Sequence, residues 1–213
     1  MDSITGLIEA FSETYVGQNM AHLVDLYATI EEQTQSFCTS YEIVCGNGCG
    51  TCCEHFMPDI TTSEARLVAA YLLFVKKDPA LIERVHASQG STSGPCPLYN
   101  PDSPFHCSIY PARPLICRLF GACANQGKDG KAVFRRCKYN VEKTMPQYLV
   151  LDDDSVPVMQ DYSYALRSID DGNGKIGYLG DMVSSLTDQL QFLSSMITVD
   201  DTNPDDTPTP LAS

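Results

Sequence analysis

The run of residues 45–53 brings four cysteines and three glycines together within nine positions. These cysteines are Cys45, Cys49, Cys52 and Cys53. Glycine permits backbone turns with positive φ, and such turns point several thiols at one centre while amide N–H groups face the sulfurs. Four thiolates satisfy a tetrahedral zinc ion, and iron–sulfur clusters are also held by thiolates, commonly four. The run therefore predicts a ligand loop for a soft metal.

Cysteines farther along the chain must complete this ligand shell, because the adjacent Cys52 and Cys53 project in different directions from the backbone. Prolines near three of them would hold the thiols rigidly. These three are Cys96, Cys107 and Cys117. Cys123 and Cys137 follow and are candidates for further ligands, which would make two four-thiolate sites. Cys38 ends a predicted helix and is more typical of a buried, small apolar residue.

The order of these motifs resembles the YkgJ-like cysteine-cluster family, a zinc- or iron-chelating domain that includes the flagellin lysine N-methylases. The matching features are the CxxxCxxCC run at 45–53, Thr61-xx-Glu64-Ala65, the Cys-Pro-Leu at 96–98, and the segment 107–120 with its Arg-Pro pair. They span about residues 45–120, roughly a third of the chain. The resemblance implies metal ligands at Cys45, Cys49, Cys52, Cys53, Cys96, Cys107 and Cys117.

Two arginines and two histidines lie beside the candidate ligands. A four-thiolate centre carries net negative charge, so the guanidinium groups of Arg113 and Arg118 would offset it or bind a carboxylate or phosphate of a cofactor or substrate. The alternative is that both arginines pair with surface acids. His55 and His106 each lie next to or near a cysteine and could be metal ligands, but with thiols so plentiful a supporting role is expected for them.

Two other interpretations of the cysteines carry less weight. The Cys45-xxx-Cys49-xx-Cys52 spacing resembles the cluster motif of radical S-adenosylmethionine enzymes, but the following Cys53, the interleaved glycines and the lack of repeated βα units depart from that family. Ten cysteines would suit a disulfide scaffold in a secreted protein. No secretory signal precedes them, so the expected location is the reducing cytoplasm.

Charge and hydropathy restrict the possible partners. The chain has 14 Lys+Arg against 27 Asp+Glu, a net charge of −13. This charge repels nucleic acid and anionic lipid, and no apolar stretch is long enough for a bilayer span. Another protein is therefore the expected macromolecular partner.

The elements that must position the cysteines are predicted to be mainly helical, in a single small domain with an irregular cysteine-rich core and a short hairpin. Residues 1–37 form a helical pair, 38–140 the cysteine-cluster domain, 141–199 a helical extension, and 200–213 a disordered acidic tail. Helices are expected after a capping box at Thr61, after Asp78-Pro79, after Pro114, and from about 180 to 197. A hairpin turn at 125–131 is expected to lead into a strand at 132–134.

These features predict a metal-binding protein with a cysteine-ligated iron–sulfur cluster (4Fe-4S) or zinc centre, in a structural, redox or sensing role. A zinc-stabilised interaction module is one alternative. A flagellin-methylase-like lysine N-methylase using S-adenosylmethionine is another, although the sequence has no strand and glycine-rich turn of the usual nucleotide-binding kind. The sequence does not decide whether the protein is an enzyme.

Overall fold

The computed structural model describes residues 3–44, 49–140, 146–152, 155–170 and 174–197, with side chains described as far as 192 in the last segment. Within these residues the chain forms eight α-helices and five short strands. The mainly α prediction is confirmed. None of the described helices combines the length and apolarity needed to cross a membrane. The tail predicted for residues 200–213 lies outside the described residues.

The first two helices meet at a tight turn. Helix α1 covers Ile4–Ala10 and α2 covers Tyr15–Ser40, with Thr14 capping α2 through its side chain. The sequence places the break at Gly17, but Gly17 lies in the first turn of α2. A Cβ there would come 1.9 Å from the carbonyl oxygen of Phe11. Glycine is therefore needed for close approach of α1, rather than for ending a helix.

The central helices follow their capping signals. Helix α3 (Thr51–His55) is followed by α4 (Thr62–Ala70), and both hydrogen bonds of the capping box between Thr61 and Glu64 form. The chain continues as a π-helical segment, Tyr71–Lys76, and then as α5 (Pro79–His86), which is capped by the side chain of Asp78. The starts of α4 at Thr61 and of α5 at Asp78 are therefore correctly predicted from local sequence.

The middle third of the chain is largely irregular, as expected for a proline-rich segment. It contains a 3₁₀ turn, Tyr110–Ala112, and the short helix α6, Leu115–Leu119. Helix α6 begins after Pro114 and is followed by Gly121 at φ 76°, which matches the predicted helix. The cysteine-bearing segments thus run through short turns attached to the helical core.

Two small sheets complete the fold. Strand β1 (Asp59–Thr61) pairs antiparallel with β5 (Ile176–Tyr178), a contact that the sequence does not predict. The predicted hairpin is present as β2 (Asn125–Gln126) and β3 (Ala132–Arg135), and β4 (Tyr148–Leu151) adds a third strand beside β3.

The last two helices, α7 (Met159–Ile169) and α8 (Leu179–Ile197), close the structure. Helix α8 packs along α4, and α7 packs against α2, so the main core lies between the N-terminal, central and C-terminal helices. A smaller apolar cluster joins the end of α2 to β3 and β4. Cys96 and Cys107 pack against this main core, which fixes one side of the candidate site.

Candidate metal centre

Six cysteine side chains line one cavity of about 230 Å³. They are Cys49, Cys52, Cys53, Cys96, Cys107 and Cys117. The fold brings them from the turn before α3, from α3 itself, from the 96–107 loop and from α6. Cys45, the seventh ligand implied by the sequence resemblance, lies outside the described residues. We refer to this arrangement as the six-thiol cavity.

Helix α3 is tied to the 96–107 loop at the cavity wall. The Cys52 and Cys53 sulfurs lie 4.0 Å apart. The carbonyl oxygen of Cys53 accepts a hydrogen bond from the amide of Cys96 at 2.8 Å. The hydroxyl of Tyr99 donates to the Glu54 carboxylate at 2.6 Å. These links hold two thiol-bearing segments in register although more than forty residues separate them.

The 96–107 loop folds back on itself and places its two cysteines on the same cavity. Residues Tyr99 and Cys107 form an isolated antiparallel bridge, and the amide of Ser108 donates to the Leu98 carbonyl at 2.9 Å. The amide of Tyr99 donates to the Cys96 carbonyl at 3.0 Å, and the backbone N–H groups of Leu98 and Tyr99 near the thiol oppose the rise in the Cys96 pKa. Such N–H donors favour thiolate, which is the form that binds metal.

Helix α6 is held by a buried carboxylate. Glu64, of the capping box on α4, accepts hydrogen bonds from the Leu115 amide at 2.6 Å and from the Tyr27 hydroxyl at 3.1 Å through Oε1. Its Oε2 accepts from the Thr61 amide at 2.8 Å. The Leu115 amide belongs to the first turn of α6, where N–H groups have no partner within the helix. Glu64 therefore fixes the helix that carries Cys117.

Burial raises the pKa of most thiols in the six-thiol cavity. For Cys117 the pKa lies well above 9.0, first because of burial and then because of negative charge on Cys96, Cys107 and Cys52. Burial likewise raises the pKa of Cys96 to about 12 and that of Cys107 above its usual value. Neutral thiols are consequently favoured when no cation is present. A bound cation would stabilise the thiolates, and binding would release protons.

Cys52 and Cys53 behave as a coupled pair. A hydrogen bond between their sulfurs stabilises one thiolate at the expense of the other, so the pKa of Cys52 falls to about 7 while that of Cys53 rises. The lowered pKa favours the thiolate form of Cys52, which is the form that binds metal.

Arg113 and Arg118 both line the six-thiol cavity, but their other contacts differ. The Arg113 guanidinium stacks on Tyr110 at 3.9 Å and lowers the pKa of Cys107, against the larger effect of burial. Arg118 lies 4.0 Å over the ring of Tyr27 and donates to the carbonyls of Arg113 and Pro111. Arg118 therefore braces the loop before α6, and Arg113 supplies a counter-charge for a thiolate at Cys107.

The donor set fits a thiolate-bound metal centre in kind and in number. Cys52, Cys53, Cys96 and Cys117 also border a small cavity of about 20 Å³ that adjoins the first one, so these four thiols surround a common region. Among the described residues, no three His, Cys, Asp or Glu side chains converge closely enough to hold a single ion. The six thiols thus share a cavity without meeting at one point.

Three other cysteines lie apart from this cavity. The Cys38 sulfur contacts the Ala122 carbonyl at 4.0 Å, and burial, with a smaller effect of Cys38, raises the pKa of Cys123 to about 12. Cys137 lies beside Gly121, 3.3 Å from where a Cβ would be. These residues surround the turn after α6 and are separate from the six-thiol cavity.

The sequence does not predict the hydrogen bonds that Glu64 makes to residues outside α4. The Thr61-xx-Glu64 spacing indicates a capping box, but it contains no signal for the bonds to Tyr27 and Leu115, which come from distant parts of the chain. A glutamate that is only 3% exposed is unusual, because capping-box carboxylates ordinarily face solvent. Its burial is explained by the three donors that surround it.

Comparison with known proteins agrees with the cysteine pattern. Residues 44–141 match the family model described as "CxxCxxCC: Putative zinc- or iron-chelating domain". The match contains all six cysteines that line the cavity. Searches of curated proteins and of solved structures found no match. Residues 44–141 are therefore similar to this CxxCxxCC family of zinc- or iron-chelating domains, and the similarity includes every described cysteine of the six-thiol cavity.

Proposed function

We propose that the protein binds an iron–sulfur cluster through thiolates of the six-thiol cavity and uses it in a redox or sensing role. The observation that carries this proposal is the assembly of six thiols, from separate parts of the chain, around one cavity. The family match supports metal binding in general. The choice of iron–sulfur over zinc rests on the number and arrangement of the thiols.

The number of thiols exceeds what a single zinc ion takes. A structural zinc site is closed by four ligands, whereas this cavity offers six thiols. Cys52, Cys53, Cys96 and Cys117 border both neighbouring cavities and would be the principal ligands. Cys49 and Cys107 line only the larger cavity and would bind at its open side.

The surroundings of the cavity favour a negatively charged centre close to solvent. Cys49 is exposed, so the open side of the cavity is within reach of an oxidant or an electron-transfer partner. Arg113 lies on the cavity wall and would offset part of the negative charge. When bound, an iron–sulfur cluster supplies one-electron chemistry whose potential depends on charge, hydrogen bonds to sulfur and exposure. The chain's own contribution is to hold the thiolates, their N–H donors and the guanidinium in place.

The first test is anaerobic purification followed by measurement of iron, acid-labile sulfide and zinc, together with an absorption spectrum. Matching iron and sulfide with visible charge-transfer absorption is the expected result. Stoichiometric zinc in a colourless protein would support the zinc-stabilised module instead. A protein with neither metal, after reconstitution with iron and sulfide as well, would contradict the proposal.

The role of the metal centre is tested separately from metal binding. Reversible reduction of the reconstituted protein by dithionite, without loss of iron, supports a redox role, whereas rapid loss of iron in air supports sensing. A centre that is inert to both would indicate a structural role. The lysine N-methylase alternative stays a prediction from the sequence, and incubation with S-adenosylmethionine and a lysine-rich protein substrate tests it.

A further inference from the structure

His106 has a backbone conformation that its residue type rarely adopts. Its φ is 51°, in the left-handed region that favours glycine. Hydrogen bonds on both sides hold it there: its amide donates to the Ser103 carbonyl at 3.0 Å, and its carbonyl accepts from the Asn100 amide at 3.1 Å. Strained backbone of this kind persists where the surrounding structure fixes it, and it is concentrated at functional sites.

This conformation places the imidazole ring against the turn that carries Cys49 and Gly50, which we call the ligand turn. A Cβ placed on Gly50 would come 2.2 Å from the Cβ of His106 and 2.8 Å from its Nδ1. Only glycine at position 50 leaves room for the ring. Gly50 lies between Cys49 and Cys52, and the two chain neighbours of His106, Phe105 and Cys107, both line the six-thiol cavity. The ring therefore lies against the turn between Cys49 and Cys52, next to residues that line the cavity, although His106 is not itself one of the lining residues.

The Nδ1 atom of His106 is buried and has no hydrogen-bond partner among the described residues. A buried polar atom without a partner is costly, and in folded proteins such atoms are few. Nitrogen of neutral imidazole is a common metal ligand, and in some iron–sulfur centres histidine replaces cysteine on iron. Metal ligation would give this nitrogen the partner that it lacks.

His55 provides an internal comparison. It also lies near the ligand turn, two positions after Cys53, but its side chain is 56% exposed and lies 3.9 Å from the Glu54 carboxylate. Its ring packs near Tyr139 at 5.5 Å. Solvent and neighbouring groups therefore satisfy the His55 ring. The two histidines therefore differ in burial and in hydrogen bonding, although both lie close to the cysteines in sequence.

We propose that His106 is a nitrogen ligand of the metal centre, binding through Nδ1, so that the centre has mixed thiolate and imidazole ligands. This inference rests on the proposed function, because it requires a metal in the six-thiol cavity. It adds a ligand that the cysteine pattern does not contain. Gly50 acquires a role as well, since it provides the space in which the imidazole approaches the ligand turn.

The test compares wild type with His106→Asn and His55→Asn, all reconstituted anaerobically with iron and sulfide. Asparagine tolerates a left-handed backbone better than most residues, so His106→Asn removes the imidazole without adding strain. Pulsed electron paramagnetic resonance of the reduced protein, grown with ¹⁵N-histidine, detects nitrogen bound to iron. If the protein takes up zinc instead, X-ray absorption at the zinc edge separates imidazole from sulfur ligands.

The expected result is a histidine nitrogen signal in wild type and in His55→Asn that disappears in His106→Asn. Metal affinity of His106→Asn should fall by more than about 100-fold, beyond the roughly 10–100-fold that loss of a supporting hydrogen bond causes. A wild-type centre with metal bound only by sulfur would overturn this inference and leave the proposed function standing. A wild type that binds no metal would overturn both. Circular dichroism of the metal-free variants verifies that each one folds.

Discussion

Replacing Glu64 with alanine should loosen helix α6 and weaken metal binding at Cys117. Within the described residues, hydrogen bonds to the Glu64 carboxylate join the start of α4, the Tyr27 hydroxyl and the start of α6. Glu64→Ala removes the acceptor and leaves the donors in place. Because α6 carries Cys117, the damage should reach the six-thiol cavity.

The magnitude follows from the three donors that lose their partner. The donors belong to Tyr27, Thr61 and Leu115, and all three residues are at least 95% buried. An unsatisfied buried donor costs about 1–3 kcal/mol, but relief from burying the carboxylate, which raises the pKa of Glu64, offsets part of the loss. A net destabilisation of about 3 kcal/mol is expected, a large share of the roughly 5–15 kcal/mol of a typical domain.

The assay is denaturant unfolding of the reduced, metal-free protein, followed by metal titration of each variant. Asp78→Ala is the matched control, because the exposed Asp78 caps α5 and does not line the cavity. Loss of an ordinary N-cap costs about 1 kcal/mol. Asp78→Ala should therefore lower stability slightly and leave metal affinity unchanged.

Equal effects of the two variants would refute this account of Glu64. If Glu64→Ala costs no more than Asp78→Ala, the three hydrogen bonds carry little energy. If it lowers stability but leaves metal affinity at the wild-type value, Glu64 does not position α6 for the centre.

Three further predictions concern the cavity and the turns. Burial raises the pKa of Cys96, Cys107 and Cys117 above the usual value, so the folded metal-free protein keeps protons that the unfolded chain releases. Its free energy of unfolding should therefore fall as pH rises above about 9, which urea titrations from about pH 7 to 10.5 measure. Gly50→Ala should lower the free energy of unfolding by about 1–3 kcal/mol and reduce bound metal, because the new methyl group clashes with His106. Unchanged metal content would contradict this prediction. Gly17→Ala should lower the melting temperature by its clash with Phe11 while metal stoichiometry stays constant.

Local signals explain most of what could be predicted from the sequence. The capping box at Thr61, the Asp78-Pro79 start and the Gly121 stop each act within a few residues, so the helices that they delimit form as expected. The hairpin into β3 has a turn with Gly130 at φ 83°, which the Asp129-Gly130 pair indicates.

Non-local contacts could not be predicted. The pairing of β1 with β5 joins Ile60 to Gly177 across more than a hundred residues, and neither strand is long enough to show alternation. Cys52 and Cys53 were expected in a glycine-rich loop, but they lie in helix α3, whose start is Thr51. The family resemblance implied seven ligands and left Cys123 and Cys137 open as further ones, and in the structure neither of these two lines the six-thiol cavity.

Metal content of a matched pair of cysteine variants tests the central claim most directly. Cys117→Ala and Cys123→Ala each remove a buried thiol near α6, but only Cys117 lines the six-thiol cavity. Both are purified anaerobically beside wild type, and iron, sulfide and zinc are measured per chain. The account predicts that Cys117→Ala loses bound metal and that Cys123→Ala keeps the wild-type amount. Full metal content in Cys117→Ala, or equal loss in both variants, would contradict it.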